Sequence, residues 1–198
     1  ISQKLNAELE DLKSAKDVTA LIVNGQKVNI LLPKNVKVDD KISADGFILI
    51  SNKKNIEYTR IYPKNLIIGV GCKKDTPTEQ VLNAIEDCLN KHNLDIKSVR
   101  KMATVDVKEN EIGIIDSAKF LGLDLQIISR EEIKKIQDQF EGSNFVEKTI
   151  GVRAVSEPVA LLASSGKGQF LEMKATYNGI TISIYEERIE LEWMEKFM

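Results

Sequence analysis

Histidine and cysteine are nearly missing from this sequence: one His and two Cys in 198 residues. Two cysteines do not make a disulfide framework, and such scarcity suits a reducing cytoplasm. One histidine with two cysteines falls short of a His- or Cys-based structural metal site. Glycine and proline are sparse as well, 11 and 4, so no collagen-like or linker-like segment dominates. No run of 18 apolar residues occurs, so no segment is expected to span a membrane. Neither charge sign prevails. The 28 Lys and Arg oppose 30 Asp and Glu for a net charge of −2, which argues against a strongly basic nucleic-acid binder and against an acidic disordered tail.

What is present is enough apolar material for a core, 42% of residues, in a length that suits one or two domains. The chain begins at Ile1 rather than methionine, which reads as a fragment or a chain trimmed upstream. Its opening, ISQKLNAELEDLKSAK, is amphipathic and charged and has no apolar stretch of the signal-peptide kind. Charge divides near residue 64. Residues 1–64 carry 11 Lys and Arg against 8 Asp and Glu, net +3, whereas the remainder carries 17 against 22, net −5. Residues 1–64 are expected to form a small α+β domain and linker. A short helix opens it, and then VTALIV (18–23) and VNILLP (28–33) flank Asn24-Gly25, a hairpin turn signal. A third apolar run, FILIS (47–51), follows. The polar SNKKNIEYTRIYPKN (51–65), with Pro63, reads as the linker.

Residues 65–198 alternate between strand and helix patterns. LIIGVG (66–71) is a continuous apolar run of the buried-strand kind. Thr76 is the expected N-cap of the next helix, with Pro77 at its first position and Glu79 completing a capping box. Val81, Leu82, Ile85, Cys88 and Leu89 share one face of it. Residues 98–106 read as strand, 109–122 as a helix stopped at Gly122, and 124–129 as strand. Ser129 caps a helix over 131–140 with Glu132 as its box partner. SEPVALLASS (156–165) is a short apolar helix, and the segment beyond is a hairpin turning at Asn178-Gly179. This order predicts an α/β fold: a mixed sheet flanked by helices, closed by a C-terminal hairpin and preceded by the small α+β domain.

Four segments carry chemistry. GVGCKKD (69–75) joins a strand to a helix. Gly69 and Gly71 allow a backbone to approach a ligand, Lys73 and Lys74 add positive charge, and the helix start adds more. It lacks the third glycine of a dinucleotide fingerprint, and on spacing alone a plain strand-to-helix turn is the better reading. Cys72 has no histidine partner in prospect, because His92 lies beyond the helix, and Cys88 reads as core. In VDVKENE (105–111), Lys108 and Glu111 are three residues apart. They form either a surface ion pair, the simpler reading, or a charged pair at a strand's carboxyl end, where α/β sheets bind ligands. In GVRAVSEPVALLAS (151–164), Arg153 and Glu157 sit at a helix start. The dipole favours a carboxylate there, as plain capping also expects. Lys174 interrupts an apolar strand, where lysines more often snorkel than catalyse.

Taken in order, GVGCKKD, ATVDVKENE, GVRAVSEPVALLAS and GQFLEMKATYNGITISI resemble the carboxyl-terminal domain of the cobalt-precorrin 5A hydrolase family of anaerobic cobalamin synthesis. That family's pattern runs G-I-G-C-R-R-G, then T-x-x-x-K-x-x-E, then G-V-x-S-V-x-E-x-A-A-L, then a late strand lysine after a Gly-rich turn. Here both arginines are lysines, and Asp75 stands at the last glycine of the first motif. Thr104, Lys108 and Glu111 match the second. Gly151, Val152, Val155, Glu157, Ala160 and Leu161 match the third, with Ala154 in place of Ser. Lys174 follows Gly166 and Gly168. The likeness covers residues 66–184, and residues 1–64 resemble the family's variable middle region. The amino-terminal S-G-H-x-G-G-A-N motif of the family is absent.

The resemblance implies opening of the ring A acetate δ-lactone of cobalt-precorrin 5A. The methylated bridging carbon is then lost as acetaldehyde, giving cobalt-precorrin 5B. It implies Glu111 and Glu157 as the catalytic carboxylates, either serving as general base. It implies Gly69, Gly71, Cys72, Lys73, Lys74, Lys108, Arg153 and Lys174 as the binding set for a flat, carboxylate-fringed macrocycle. The cobalt belongs to the substrate, so no protein metal or other cofactor is expected. No nucleic-acid or membrane partner is expected either. Alternatives of other classes are a non-catalytic tetrapyrrole-binding module, whose chemistry lies on a further amino-terminal domain, and a structural half of a larger enzyme. The second would expose an apolar face, as a homodimer would require.

Overall fold

The computed structural model describes residues 7–9, 12–24, 59 and 61–189. They fall into two units, Ile1–Pro63 with Ile189–Met198, and Lys64–Arg188.

In the first unit, β1 (Ala7–Leu9) pairs antiparallel with β2 (Ile61–Pro63), Ala7 opposite Pro63 and Leu9 opposite Ile61. Helix α1 (Leu12–Val23) follows β1. VTALIV is therefore helix and not the first arm of a hairpin. The good helix formers Leu12, Lys13, Ala15 and Lys16 supply the first turn, after which each β-branched residue costs only a few tenths of a kcal/mol to add. Thr19 satisfies its hydroxyl on the Ala15 carbonyl at 2.7 Å, and the Asn24 amide still bonds the Ala20 carbonyl at 3.0 Å. The expected second arm (28–33) and the run at 47–51 lie outside the described residues. The end of the expected linker is β2 itself. Pro63 occupies its last position, where a missing N–H costs least.

The second unit is a five-stranded sheet in the order β5-β4-β3-β7-β6. Its strands are β3 (Leu66–Cys72), β4 (Val99–Val105), β5 (Asp124–Ile128), β6 (Gly168–Tyr177) and β7 (Ile180–Glu187). β3, β4 and β5 run parallel, and β7 is antiparallel to both β3 and β6. The expected mixed sheet with helices and a C-terminal hairpin is what forms. On one face Leu66, Ile68 and Val70 pack with Val81, Ile85 and Cys88 of α2 (Thr78–Lys91) and with Ile114 and Ala118 of α3 (Ile112–Leu121). On the other, Ile67 packs with Val159 and Ala160 of α6 (Ser156–Ala163) and Ile133 of α4 (Arg130–Ile136). Leu82, assigned to the buried face of α2, is half-buried, and Ala84 is the residue inside.

Helix ends follow local chemistry with two departures. Ser129 and Glu132 complete the expected capping box on α4, and Gly122 ends α3 at φ +66. Thr76 does not cap α2. Its hydroxyl donates back to the Lys73 carbonyl at 2.8 Å, tightening the turn, and Pro77 becomes the residue before the helix. The helix expected over 131–140 closes at Ile136 with a 3₁₀ turn, Gln137–Gln139, and a further short helix, α5 (Asn144–Ile150), follows. Asn178 and Gly179 take φ +46 and +88, the tight turn that matches the twist of a two-stranded ribbon.

Candidate functional site

The helix after β3 covers one face of the sheet and α6 covers the other, while β7 runs back beside β3. The carboxyl end of β3 lies at the edge where α/β sheets hold their ligands. The chain leaving β3, the chain leaving β4 and the β6–β7 turn all reach this edge, because Cys72 is level with Ile180.

Cys72 ends β3, half-buried. Burial pushes its thiol up, the Lys108 ammonium and a hydrogen bond with Thr76 work against that, and the Glu111 carboxylate adds to it. Lys73 and Lys74 follow, both exposed, and Asp75 turns the chain at φ +60. The left-handed conformation at Asp75 accounts for the glycine at that place in the resembling motif, and Asp is among the side chains that tolerate it. The Lys73 stem lies over the β6–β7 turn. A Cβ on Gly179 would stand 2.7 Å from Lys73 Cε.

From β4 a 3₁₀ turn, Asp106–Lys108, leads to Glu111 just ahead of α3. Lys108 Nζ stands 3.0 Å from Glu111 Oε2, with side chains only 13% and 8% exposed. Of the two readings left open for this pair, the structure gives the enclosed one at a strand's carboxyl end. Glu111 makes no side-chain cap, and of its two oxygens Oε2 meets Lys108. Beside the pair, Val107 and Ile112 expose apolar side chains. The sequence pattern did not single them out, and only their position at a strand end could have.

Gly69 and Gly71 serve packing. A Cβ on Gly69 would lie 1.9 Å from the Ser156 carbonyl oxygen, and one on Gly71 would lie 2.6 Å from Thr181 Oγ1 and 3.3 Å from Val155 Cβ. The close approach these glycines permit here is that of α6 and β7. Glu157 is 2% exposed and accepts the Ser156 hydroxyl at 2.9 Å.

Arg153 and Lys174 form a second group around residues 141–143. Arg153 lies against Gly142, its carbonyl accepts the Ser143 amide at 2.7 Å, and its guanidinium is 3.6 Å from Asp138. Lys174 sits in a bulged part of β6 at φ +52. Its amide donates to Ser183 Oγ at 3.0 Å, and its ammonium donates to the Glu141 carbonyl at 3.3 Å. The structure thus brings Cys72, Lys108 and Glu111 together, with Lys73 and Lys74 on the adjoining turn. It gathers Arg153 and Lys174 elsewhere, and it buries Glu157 at the start of α6. Among the described residues no three His, Cys, Asp or Glu side chains cluster as metal ligands would, and no helix is long and apolar enough to cross a membrane.

Residues 66–185 match the family model described as "Cobalamin synthesis G C-terminus". The chain is 27% identical to the cobalt-precorrin-5A hydrolase of Salmonella typhimurium over 91% of its own length and 57% of that protein. It is 28% identical to a probable cobalt-precorrin-5A hydrolase of Methanocaldococcus jannaschii over 96% of its length and 61% of that protein. Against the cobalt-precorrin-5A hydrolase of Priestia megaterium it is 34% identical over 62% of its length and 32% of that protein. The chain therefore spans less than two thirds of each of these relatives. Among solved structures it resembles CobE, a protein from the cobalamin (vitamin B12) biosynthetic pathway, with TM-score 0.59, 21% identity, 64% of this chain and 92% of that one. It also resembles the cobalamin biosynthesis protein chiG of Agrobacterium tumefaciens, with TM-score 0.50, 22% identity, 62% of this chain and 98% of that one. At these identities the likeness is one of fold.

Proposed function

The chain belongs to the Cobalamin synthesis G C-terminus family, and from that premise we propose that it forms the substrate-cradling part of a cobalt-precorrin 5A hydrolase, with Glu111 as general base. The reaction is opening of the ring A acetate δ-lactone by water, followed by loss of the bridging carbon and its methyl group as acetaldehyde. The cobalt enters as part of the macrocycle. The observation that carries the reading is the enclosed Lys108–Glu111 pair at the carboxyl edge of the sheet.

In this reading Glu111 takes a proton from the attacking water, and the Lys108 ammonium faces the oxyanion that develops on the lactone carbonyl. Val107 and Ile112 meet the flat apolar face of the ring, and Lys73 and Lys74 meet its peripheral carboxylates. Arg153 and Lys174 serve carboxylates farther round the rim. Lys73, Lys74 and Lys108 supply positive charge at this edge within a segment, residues 65–198, of net charge −5. Glu157 holds the start of α6, since its carboxylate is spent on Ser156 inside the fold. Gly69 and Gly71 let α6 and Thr181 close on β3.

A binding module without turnover is the second reading, favoured by the engagement of Glu111 with Lys108 and of Glu157 with Ser156. One experiment separates the two. The chain is titrated with a cobalt-corrinoid intermediate by visible absorbance while acetaldehyde is measured in the same tube. Binding with acetaldehyde supports catalysis within these residues. Binding alone supports the cradle and assigns the chemistry elsewhere. No binding overturns both.

A further inference from the structure

The pair Asp106 and Arg130 lies at the same sheet edge; Arg130 is outside the motifs described above, and Asp106 falls within VDVKENE but has been given no role there. β4 and β5 are parallel neighbours with Val105 opposite Ile128, so the chains leaving them emerge side by side. Asp106 is the first residue past β4, and Arg130 is the first residue of α4. The Arg130 amide donates to Asp106 Oδ2 at 3.1 Å, and Arg130 Nε donates to Oδ1 at 2.9 Å. Oδ1 also accepts the Val107 amide at 2.7 Å. The far end of the guanidinium reaches the Ile150 carbonyl at 3.4 Å. A two-point Arg–carboxylate contact adds geometric definition as well as energy. The Arg130 backbone is itself fixed by the Ser129–Glu132 capping box.

We propose that Asp106 and Arg130 are a positioning pair that holds the 106–111 turn, and so sets where Lys108 and Glu111 stand at the sheet edge. This rests on the reading of that edge as the substrate site. The geometry has a direction. Both oxygens of Asp106 are occupied by donors from its own turn and from α4, so this carboxylate is committed to holding the turn and not to meeting a ligand. The turn it starts, Asp106–Lys108, ends on the lysine that pairs with Glu111. Around metal ligands, outer partners change affinity or activity by about 10–100-fold when removed, and a loss at the low end of that range is expected for the turn that carries Lys108 and Glu111.

Cys72 reports on the turn without any substrate, since Lys108 and Glu111 both act on its thiol, and Cys88, the other thiol, is fully buried. The rate of alkylation by iodoacetamide is followed against pH in the chain and in Asp106→Asn, Arg130→Gln, Lys108→Ala and Lys108→Ala/Arg130→Gln, with Cys72→Ala as the labelling control. The expected result is a midpoint displaced upward in Lys108→Ala and in Arg130→Gln, with the double variant no further displaced than Lys108→Ala. Asp106→Asn keeps the side-chain shape and is expected to move the midpoint the same way, which covers failure of Arg130→Gln to fold. Midpoints equal to the parent's in both Asp106→Asn and Arg130→Gln, with only the melting temperature lowered, would mean a purely structural clamp and overturn the proposal. In the corrinoid titration the same two variants are expected to bind at least tenfold more weakly. A parent chain that binds no corrinoid sinks the reading of the site while the alkylation midpoints still decide the clamp.

Discussion

Lys108 Nζ and Glu111 Oε2 stand 3.0 Å apart in the turn that follows β4, and both side chains are largely enclosed. On an open helix surface such a spacing is worth a few tenths of a kcal/mol. Enclosure changes the consequence of breaking it, because the remaining partner keeps a poorly solvated charge. Holding such a pair costs the hydration of both charges, which their close contact offsets only in part.

Glu111→Gln is expected to keep corrinoid binding and to lower acetaldehyde release by about 10²–10⁴-fold, the usual contribution of a positioned base. Glu157→Gln is expected to retain turnover, since its amide can still accept the Ser156 hydroxyl. Equal losses in both variants, measured under saturating corrinoid, would remove the distinction drawn between the two carboxylates.

Gly69→Ala is expected to destabilise the chain by about 1–3 kcal/mol, the usual cost of forcing extra volume into a packed interior. Its Cβ would stand 1.9 Å from the backbone carbonyl of Ser156, and backbone cannot swing aside as a side-chain tip can. Urea denaturation of the variant beside the parent measures this. An unchanged midpoint would mean that α6 does not sit tightly on β3.

How much of this was legible beforehand depended on the range of the forces involved. The strands of the second unit showed in runs such as LIIGVG because burial on both faces leaves no room for polar alternation. Asn178-Gly179 announced its turn because few other pairs accept two positive φ values. Residues 18–23 read as strand and form the second half of α1, because VTALIV favours strand locally while the deciding helix formers lie just before it. Lys108 and Glu111 were legible as a spacing, but their enclosure was not, since it depends on which strand ends meet. Arg130 joins Asp106 across 24 residues, and Lys174 joins Glu141 across 33. No periodicity records contacts at that separation.

Glu172 ties β6 to the end of α2 by accepting hydrogen bonds from Lys91 and His92. Burial pushes its carboxyl up, but the bonds from Lys91 and His92 outweigh burial and hold it below the ordinary value. A carboxyl depressed in the folded state contributes stability above its unfolded value, about 4.3, and loses it as pH falls through the folded one. The stability gap between the parent and Glu172→Gln is therefore expected to be full at neutral pH and to shrink steadily as the solution is acidified below about 4. Paired denaturation curves across that range check it. A gap that widens on acidification would contradict the assigned direction.

Lys174 holds φ +52 in the middle of a strand, a conformation that costs a side-chain-bearing residue about 1–2 kcal/mol. Its amide is anchored by Ser183 Oγ, so the bulge is built into β6 and survives loss of the side chain. Lys174→Gly is therefore expected to be more stable than Lys174→Ala by about 1 kcal/mol, since glycine enters this region without a Cβ penalty. Both variants lose the same ammonium and are expected to lose corrinoid affinity equally. Thermal denaturation of the two, with visible titration alongside, separates the backbone contribution from the charge. An alanine variant as stable as the glycine one would show that the left-handed conformation relaxes once the lysine is gone. The strain would then come from the side chain's reach to Glu141 and not from the strand.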